Sequence, residues 1–172
     1  GYRLGVIGGS DDHNTAPGSD MTMQIMGFNG KECFYRQSGL AAVYAERLTR
    51  ETLWKAIMKR RCYGTSIDRI IVDFKIDDRM MGEEIQSSKP VVTAEVYATT
   101  RLIKVELVKN NRVVYRHGMG EPQWGSPSRR TEAKEVRLCF TDNDLKEESY
   151  YYLRVMQADG EMAWSSPIWV RP

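Results

Sequence analysis

The sequence predicts an α+β fold in which a strand–loop–helix segment precedes an antiparallel β-sandwich. An apolar run near the N-terminus, a helical pattern that begins near residue 49 and a change to a period of two after Ser66 support this prediction. Together these observations divide the chain into two predicted domains, residues 1–66 and residues 67–172.

The N-terminal stretch contains the candidate metal ligands. Its apolar residues at 4–7 predict a buried strand, which Gly8 and Gly9 end. Asp11 and His13 follow two residues apart, and in an extended segment such residues point the same way. A carboxylate and an imidazole suit a divalent metal ion. The alternative is a solvated turn whose acidic side chains accept hydrogen bonds from nearby backbone amides.

A second strand and a helix are predicted before the change of period. The small apolar residues at 39–45 indicate the strand, and Thr49 is a good N-cap for the helix that follows, which Gly64 is expected to stop. Three cations at residues 59–61 fall in the last turn. They either compensate the partial charge of the helix C-terminus or bind phosphate.

Seven short strands are predicted in the second domain, with no helix between them. They occupy residues 69–76, 91–98, 102–109, 112–116, 133–141, 150–157 and 162–170. This pattern is typical of an antiparallel β-sandwich. Tyr151, near the start of the penultimate strand, lies where a tyrosine corner is expected, and the last strand resembles that of a fibronectin III/Ig-like domain.

Composition and charge exclude several classes of protein. With 41% hydrophobic residues, 28% charged residues and a net charge of +2, the chain is typical of a globular protein without the one-sided charge of a nucleic-acid binder. No apolar run is long enough to span a membrane, and no signal peptide is recognisable. We therefore expect no nucleic-acid or membrane partner, and a cytoplasmic or periplasmic location stays open. The scattered Cys33, Cys62 and Cys139 are expected to be free thiols.

Four ordered segments carry a resemblance to a known family. They are GVIGGSDDHN, GLAAVYAERLTRETLWKAIMKRRCYGTS, RIIVDFKI with MMGEEI, and WSSPIWV. Together they resemble the C-terminal part of the PHP-type (polymerase and histidinol phosphatase) metallohydrolase superfamily. The closest branch is an uncharacterised domain of unknown function with a β-rich C-terminal extension.

The resemblance implies that residues 1–66 are the last strand, loop and helix of a β/α barrel. Such a barrel holds zinc, manganese or iron ions that activate water to hydrolyse a phosphoester, and its final Asp-x-His motif falls on Asp11 and His13. The superfamily draws further ligands from earlier barrel strands, whereas this chain has only His13 and His117 as histidines. We therefore expect a C-terminal fragment of a larger hydrolase that is catalytically silent alone, with no catalytic residue of its own.

Two other functions remain open for the β-rich domain. A module that binds a glycan or a protein would need exposed Trp124, Trp164 and Trp169 as a platform. A purely structural domain would instead cover and stabilise the barrel. The expected partner of the fragment is the N-terminal remainder of its own barrel, with homodimerisation as the alternative, and no substrate-binding residue is identified.

Overall fold

A computed structural model describes residues 1–9, 23–26, 32–35, 39–117 and 133–172. In chain order, the elements are β1 (Met23–Met26), β2 (Glu32–Tyr35), β3 (Leu40–Val43), α1 (Arg50–Met58), β4 (Cys62–Thr65), β5 (Ile71–Ile76), β6 (Arg79–Met80), β7 (Glu84–Gln86), β8 (Val91–Tyr97), β9 (Leu102–Lys109), β10 (Arg112–His117), β11 (Glu135–Thr141), β12 (Ser149–Gln157), β13 (Met162–Ser165) and β14 (Ile168–Arg171).

Two large sheets dominate the described part of the chain. The first has eight strands, with β10-β9-β12-β13-β4-β3 as its main order, β14 paired with β12, and β7 paired with β14. The second has four strands in the order β11-β8-β5-β6, while β1 and β2 pair separately. The β14–β7 pair is parallel. Both β13 and β14 pair with β12. Ser166 and Pro167, which are not in a strand, separate them.

The core lies between the two large sheets. Strand residues that alternate along the sequence point to one face, so β5 contributes Val72, Phe74 and Ile76, and β12 contributes Tyr151 and Leu153, all of them fully buried. The opposite, outer face of the eight-stranded sheet carries the residues between these core positions. It is this outer face that positions the candidate functional site.

Helix α1 begins as the sequence predicts, but it ends earlier. Thr49 is the N-cap, and its side chain and that of Thr52 form a capping box, which confirms the predicted start. The helix ends at Met58, and Arg60 adopts a φ of 58°, which turns the chain into β4. Gly64, the predicted stop, lies inside β4. No helix among the described residues is long and apolar enough to cross a membrane.

The predicted α+β fold, with a β/α barrel remnant followed by a fibronectin III/Ig-like sandwich, is wrong. The described chain is mostly β-sheet and contains no barrel. Strands β3 and β4 are antiparallel, and β4 pairs with β13, so both strands extend the same sheet as the later strands. A β/α barrel needs parallel strands joined by helices.

The buried strand predicted at residues 4–7 is also absent. Residues 1–9 form neither helix nor strand, and Leu4 and Ile7 are exposed. Because an apolar run does not itself show which surface covers it, the pattern could not distinguish a core strand from a segment lying on a sheet.

A buried hydrogen-bond network surrounds Tyr151 at the start of β12. Its hydroxyl donates to Asp142 Oδ2 at 2.6 Å, and Lys109 Nζ donates to the same carboxylate. Burial acts to raise the pKa of Asp142, but the hydrogen bonds from Lys109, Tyr151 and the Asp144 backbone N–H outweigh it and hold this pKa below its usual value. Tyr151 therefore bonds a side-chain carboxylate and not the backbone group that defines a tyrosine corner, and the network ties β9 and β12 to the residue after β11.

We predict that Tyr151→Phe lowers the free energy of unfolding by about 1 to 3 kcal/mol, because the buried Asp142 loses a donor. Urea denaturation measures the change. Tyr152→Phe is the matched control, since Tyr152 lies next in β12 but on the outer face, half-buried. Equal free energies of unfolding in the two variants would show that the Tyr151–Asp142 hydrogen bond does not stabilise the fold.

A second buried carboxylate, that of Glu106, lies on the outer face of the same sheet. Glu106 is opposite Arg116 of β10 and Arg154 of β12. The two guanidinium groups donate to it through Nε at 2.7 and 2.8 Å, and only 3% of Glu106 is exposed. Charge-assisted bonds of this kind cross-link three neighbouring strands.

The Glu106 network predicts a pH dependence of stability. Burial acts to raise the pKa of Glu106, but hydrogen bonds from Arg154 and Arg116 lower it more, so the folded-state pKa lies below the usual 4.5. Its stabilising contribution is therefore complete above that usual value and is lost as the pH falls through the lower folded-state value.

We expect Glu106→Gln to flatten the decline of the melting temperature with falling pH between about pH 5 and pH 2, because the variant removes this titration. Thermal unfolding followed by circular dichroism across that range measures it. The exposed Glu135 provides the control variant Glu135→Gln. A decline as steep in Glu106→Gln as in the unmodified chain would contradict the assignment.

Candidate functional site

Residues 1–9 lead toward the candidate ligands and lie across the outer face of the eight-stranded sheet. Gly64 and Trp169 face this side, because their neighbours Tyr63, Ile168 and Val170 point into the core. The N-terminal segment contacts this face at three places, near Trp169, at Ser166 and at Gly64.

The first contact is made by Arg3. The Arg3 guanidinium lies 5.5 Å from the centroid of the Trp169 ring, and the guanidinium of Arg60 lies 5.0 Å from it. Both arginines also pair with Glu84. The two cations cover the indole, which is only 8% exposed, and thereby hold the start of the segment.

Arg3 also pairs with Glu148, a residue that precedes β12. Their hydrogen bond lowers the pKa of Glu148 and raises that of Arg3. Because this pair lies at the surface, we assign it a role in orienting Arg3 more than in stability.

The second contact is made by Ser166, in the break between β13 and β14. Its Oγ accepts a hydrogen bond from the Val6 backbone N–H at 2.8 Å and donates to the Cys62 carbonyl at 2.5 Å. These two hydrogen bonds link the segment to β4, and Ser166, which makes them, is buried. Burial raises the pKa of the adjacent Cys62 thiol, more than its contact with Ser166 lowers it, which disfavours a nucleophilic thiolate.

The third contact is a close approach of backbones. A Cβ atom added to Gly8 would lie 2.1 Å from the Leu40 carbonyl oxygen, and one added to Gly64 would lie 2.9 Å from the Gly8 nitrogen. A Cβ on Gly9, by contrast, would meet nothing within 4 Å. Glycine at positions 8 and 64 is therefore what allows the segment to lie directly on β3 and β4.

The predicted metal ligands Asp11 and His13 lie outside the described residues, and the described segment ends at Gly9. His117 is exposed at the end of β10. Across the ranges that the structure describes, no three His, Cys, Asp or Glu side chains form a group that could hold a metal ion.

Asp11 and His13 suit a divalent ion in type of donor but not in number. A catalytic zinc site uses three protein ligands and a structural one uses four. A metal ion at these two residues would need at least one further ligand, and their role as ligands stays a prediction.

The two arginines after α1 have carboxylate partners in the structure, Arg60 with Glu84 and Arg61 with Glu83. Arg60 Nε donates to the Gly82 carbonyl at 3.0 Å, and Arg61 pairs with Glu83 at 3.2 Å. These arginines connect the end of α1 to the turn between β6 and β7. We find no phosphate-binding arrangement in these contacts.

The tryptophans named for a binding platform have different surroundings. Trp169 is covered by two arginines and Trp164 is half-buried on β13, while Trp124 lies outside the described residues. Trp54 of α1, which the sequence did not suggest for a platform, is 64% exposed.

Sequence reasoning missed the roles of Arg3, Ser166 and Trp169. Their contacts join residues about 160 positions apart in the sequence, and no local sequence pattern predicts such pairs. The run of glycines at 8 and 9 was the one available signal, because it indicates close approach of backbone.

Comparison with known proteins places the chain in a family. A family model described as "Protein of unknown function (DUF3604)" matches residues 1–101. An uncharacterized protein of Chlamydia trachomatis serovar D is 31% identical over 173 residues, which cover 96% of this chain and 26% of that protein. An uncharacterized protein of Chlamydia pneumoniae is 33% identical over 145 residues, which cover 77% of this chain and 22% of that protein. No solved structure matches.

These findings correct the resemblance to the PHP-type metallohydrolase superfamily, which is wrong. The matching family model is a different one, the relatives carry no name that indicates that superfamily, and the fold has no barrel. The chain spans about a quarter of the length of the curated relatives that it matches. Since the family model covers more than half of its residues, this protein belongs to the DUF3604 family of proteins of unknown function.

Proposed function

We propose that this chain is a structural module of a longer metal-dependent hydrolase and that it positions Asp11 and His13 as metal ligands. The observation that carries the proposal is the attachment of residues 1–9 to the outer face of the eight-stranded sheet at Trp169, Ser166 and Gly64. A segment held in this way fixes the point from which the chain continues toward Asp11 and His13.

The chain's own residues act by binding and orienting. Ser166 holds the Val6 backbone, Trp169 holds Arg3, and the glycine contact holds the C-terminal end of the described segment. Metal sites need ligands held to within roughly 0.5 Å of the productive geometry, which favours support from a rigid element such as a sheet.

A longer protein would supply the remaining ligands. The length of the chlamydial relatives supports this arrangement, because about three quarters of each lies outside the matched segment. A divalent ion such as zinc, manganese or iron lowers the pKa of bound water and neutralises charge on a phosphoryl oxygen, so phosphoester hydrolysis is the reaction class to test first.

Gly8→Ala tests the attachment of the segment. We expect the backbone amides of residues 5–9 to exchange hydrogen about tenfold faster or more, because the added Cβ would overlap the Leu40 carbonyl and displace the segment. Hydrogen exchange followed by mass spectrometry measures it. Gly9→Ala is the matched control, with open space around its Cβ. Unchanged exchange in Gly8→Ala would show that the contact does not hold the segment.

Asp11→Ala and His13→Ala test the metal role in the full-length gene product. We expect each variant to lose most of the transition metal that the unmodified protein binds, and to lose activity toward a panel of phosphoesters, since a ligand is removed. Elemental analysis and hydrolysis assays measure the two effects. A full-length protein that binds no transition metal would overturn the proposal.

Gly8→Ala serves as a positioning variant in the same assays. We expect it to weaken metal affinity by about 10- to 100-fold with both ligands intact, as substitutions outside the ligand set do, whereas Gly9→Ala leaves affinity unchanged. Equal metal affinity in the two variants would show that the contact of Gly8 with the sheet does not position the metal ligands.

A further inference from the structure

Several large apolar side chains are exposed on residues 1–9 and on α1. They are Tyr2 (95% exposed), Leu4 (71%), Ile7 (55%), Trp54 (64%) and Met58 (60%), and we call them the apolar docking surface. Monomeric proteins expose few such residues together, and a larger group of them usually marks an interaction site.

The two parts of this surface are neighbours. Arg60 follows α1 closely, and a Cβ atom added to Gly5 would lie 3.0 Å from the Arg60 Cβ. The end of α1 therefore adjoins the middle of the N-terminal segment. Trp54 and Met58 are four residues apart in the helix and so lie on one face of it.

The exposed charges beside the helical part of the surface are mostly positive. Arg50, Lys55 and Lys59 are exposed, beside one exposed acidic residue of the helix, Glu51. A partner that covers Trp54 and Met58 would bring its own rim close to these charges. An acidic rim would complement them.

We infer that the apolar docking surface binds another part of a longer gene product, through a folded surface that is apolar at its centre and acidic at its rim. The relatives support this occupant, because about three quarters of each chlamydial protein lies outside the segment matched by this chain. The inference shares with the proposed function only the assumption of a longer protein. It does not depend on a metal ion.

Two other occupants fit the surface less well. In a symmetric dimer the same patch meets itself, which would bring the cations of both copies together. A membrane-bound amphipathic helix lies in the interface plane with its whole apolar face buried. Here α1 has nine residues, and three of the five residues of the apolar docking surface belong to a segment that is fixed on a sheet.

Site-specific photo-crosslinking identifies the occupant. A benzophenone amino acid replaces Leu4 or Trp54 in the full-length gene product in its own cells, and Val113, which is 40% exposed on β10, provides the control position. We expect crosslinks from positions 4 and 54 to peptides of the same gene product outside these 172 residues, and none from position 113. Crosslinks to a second copy, to lipid, to nothing, or equally from position 113 would overturn the inference.

Trp54→Glu provides a second measurement that does not depend on crosslinking chemistry. In the full-length product it should speed hydrogen exchange in α1 by about tenfold or more, because the acidic side chain disrupts the covered surface. Val113→Glu should leave that exchange unchanged. Equal exchange in α1 of Trp54→Glu and unmodified protein would show that nothing covers the helix.

The same samples separate this inference from the metal proposal. Crosslinks that persist in Asp11→Ala protein, together with metal binding that Asp11→Ala does not alter, would support docking and overturn the metal role. Metal that depends on Asp11 in a protein that yields no crosslinks would support the metal role and overturn docking.

Discussion

The close approach of the Gly8 backbone to β3 and β4 is the constraint on which the candidate site depends. At this point the segment and the sheet are separated by too little space for any side chain, so two glycines are required. The Ser166 hydrogen bond and the arginines on Trp169 extend the attachment along the sheet. Residues 1–9 are thereby held over their length without joining the sheet as a strand.

The sheet under this segment is itself cross-linked by buried charges. Glu106 joins β9 to β10 and β12 through two arginines, and Asp142 joins β9 and β12 to the chain that follows β11. Both carboxylates keep a low pKa because their hydrogen bonds outweigh burial. A support of this kind resists local deformation of the surface on which residues 1–9 lie.

The sequence predicted the later strands well and the N-terminal region poorly. Period-two alternation located strands such as β8 and β12 within one residue of their observed bounds, because one of their faces is buried. It could not show that β4 pairs antiparallel with β13, since the partner lies about 100 residues away. The Arg3–Trp169 contact was inaccessible for the same reason. Asp11 and His13 were named from their spacing and from the family resemblance, and their role stays a prediction.

Trp169 connects two regions that are far apart in the sequence. The N-terminal segment contacts the indole through Arg3, and the residues after α1 contact it through Arg60. Both arginines also pair with Glu84. A displacement of the end of α1 would therefore reach the N-terminal segment through Trp169, through Glu84 and through the close approach of Arg60 to Gly5.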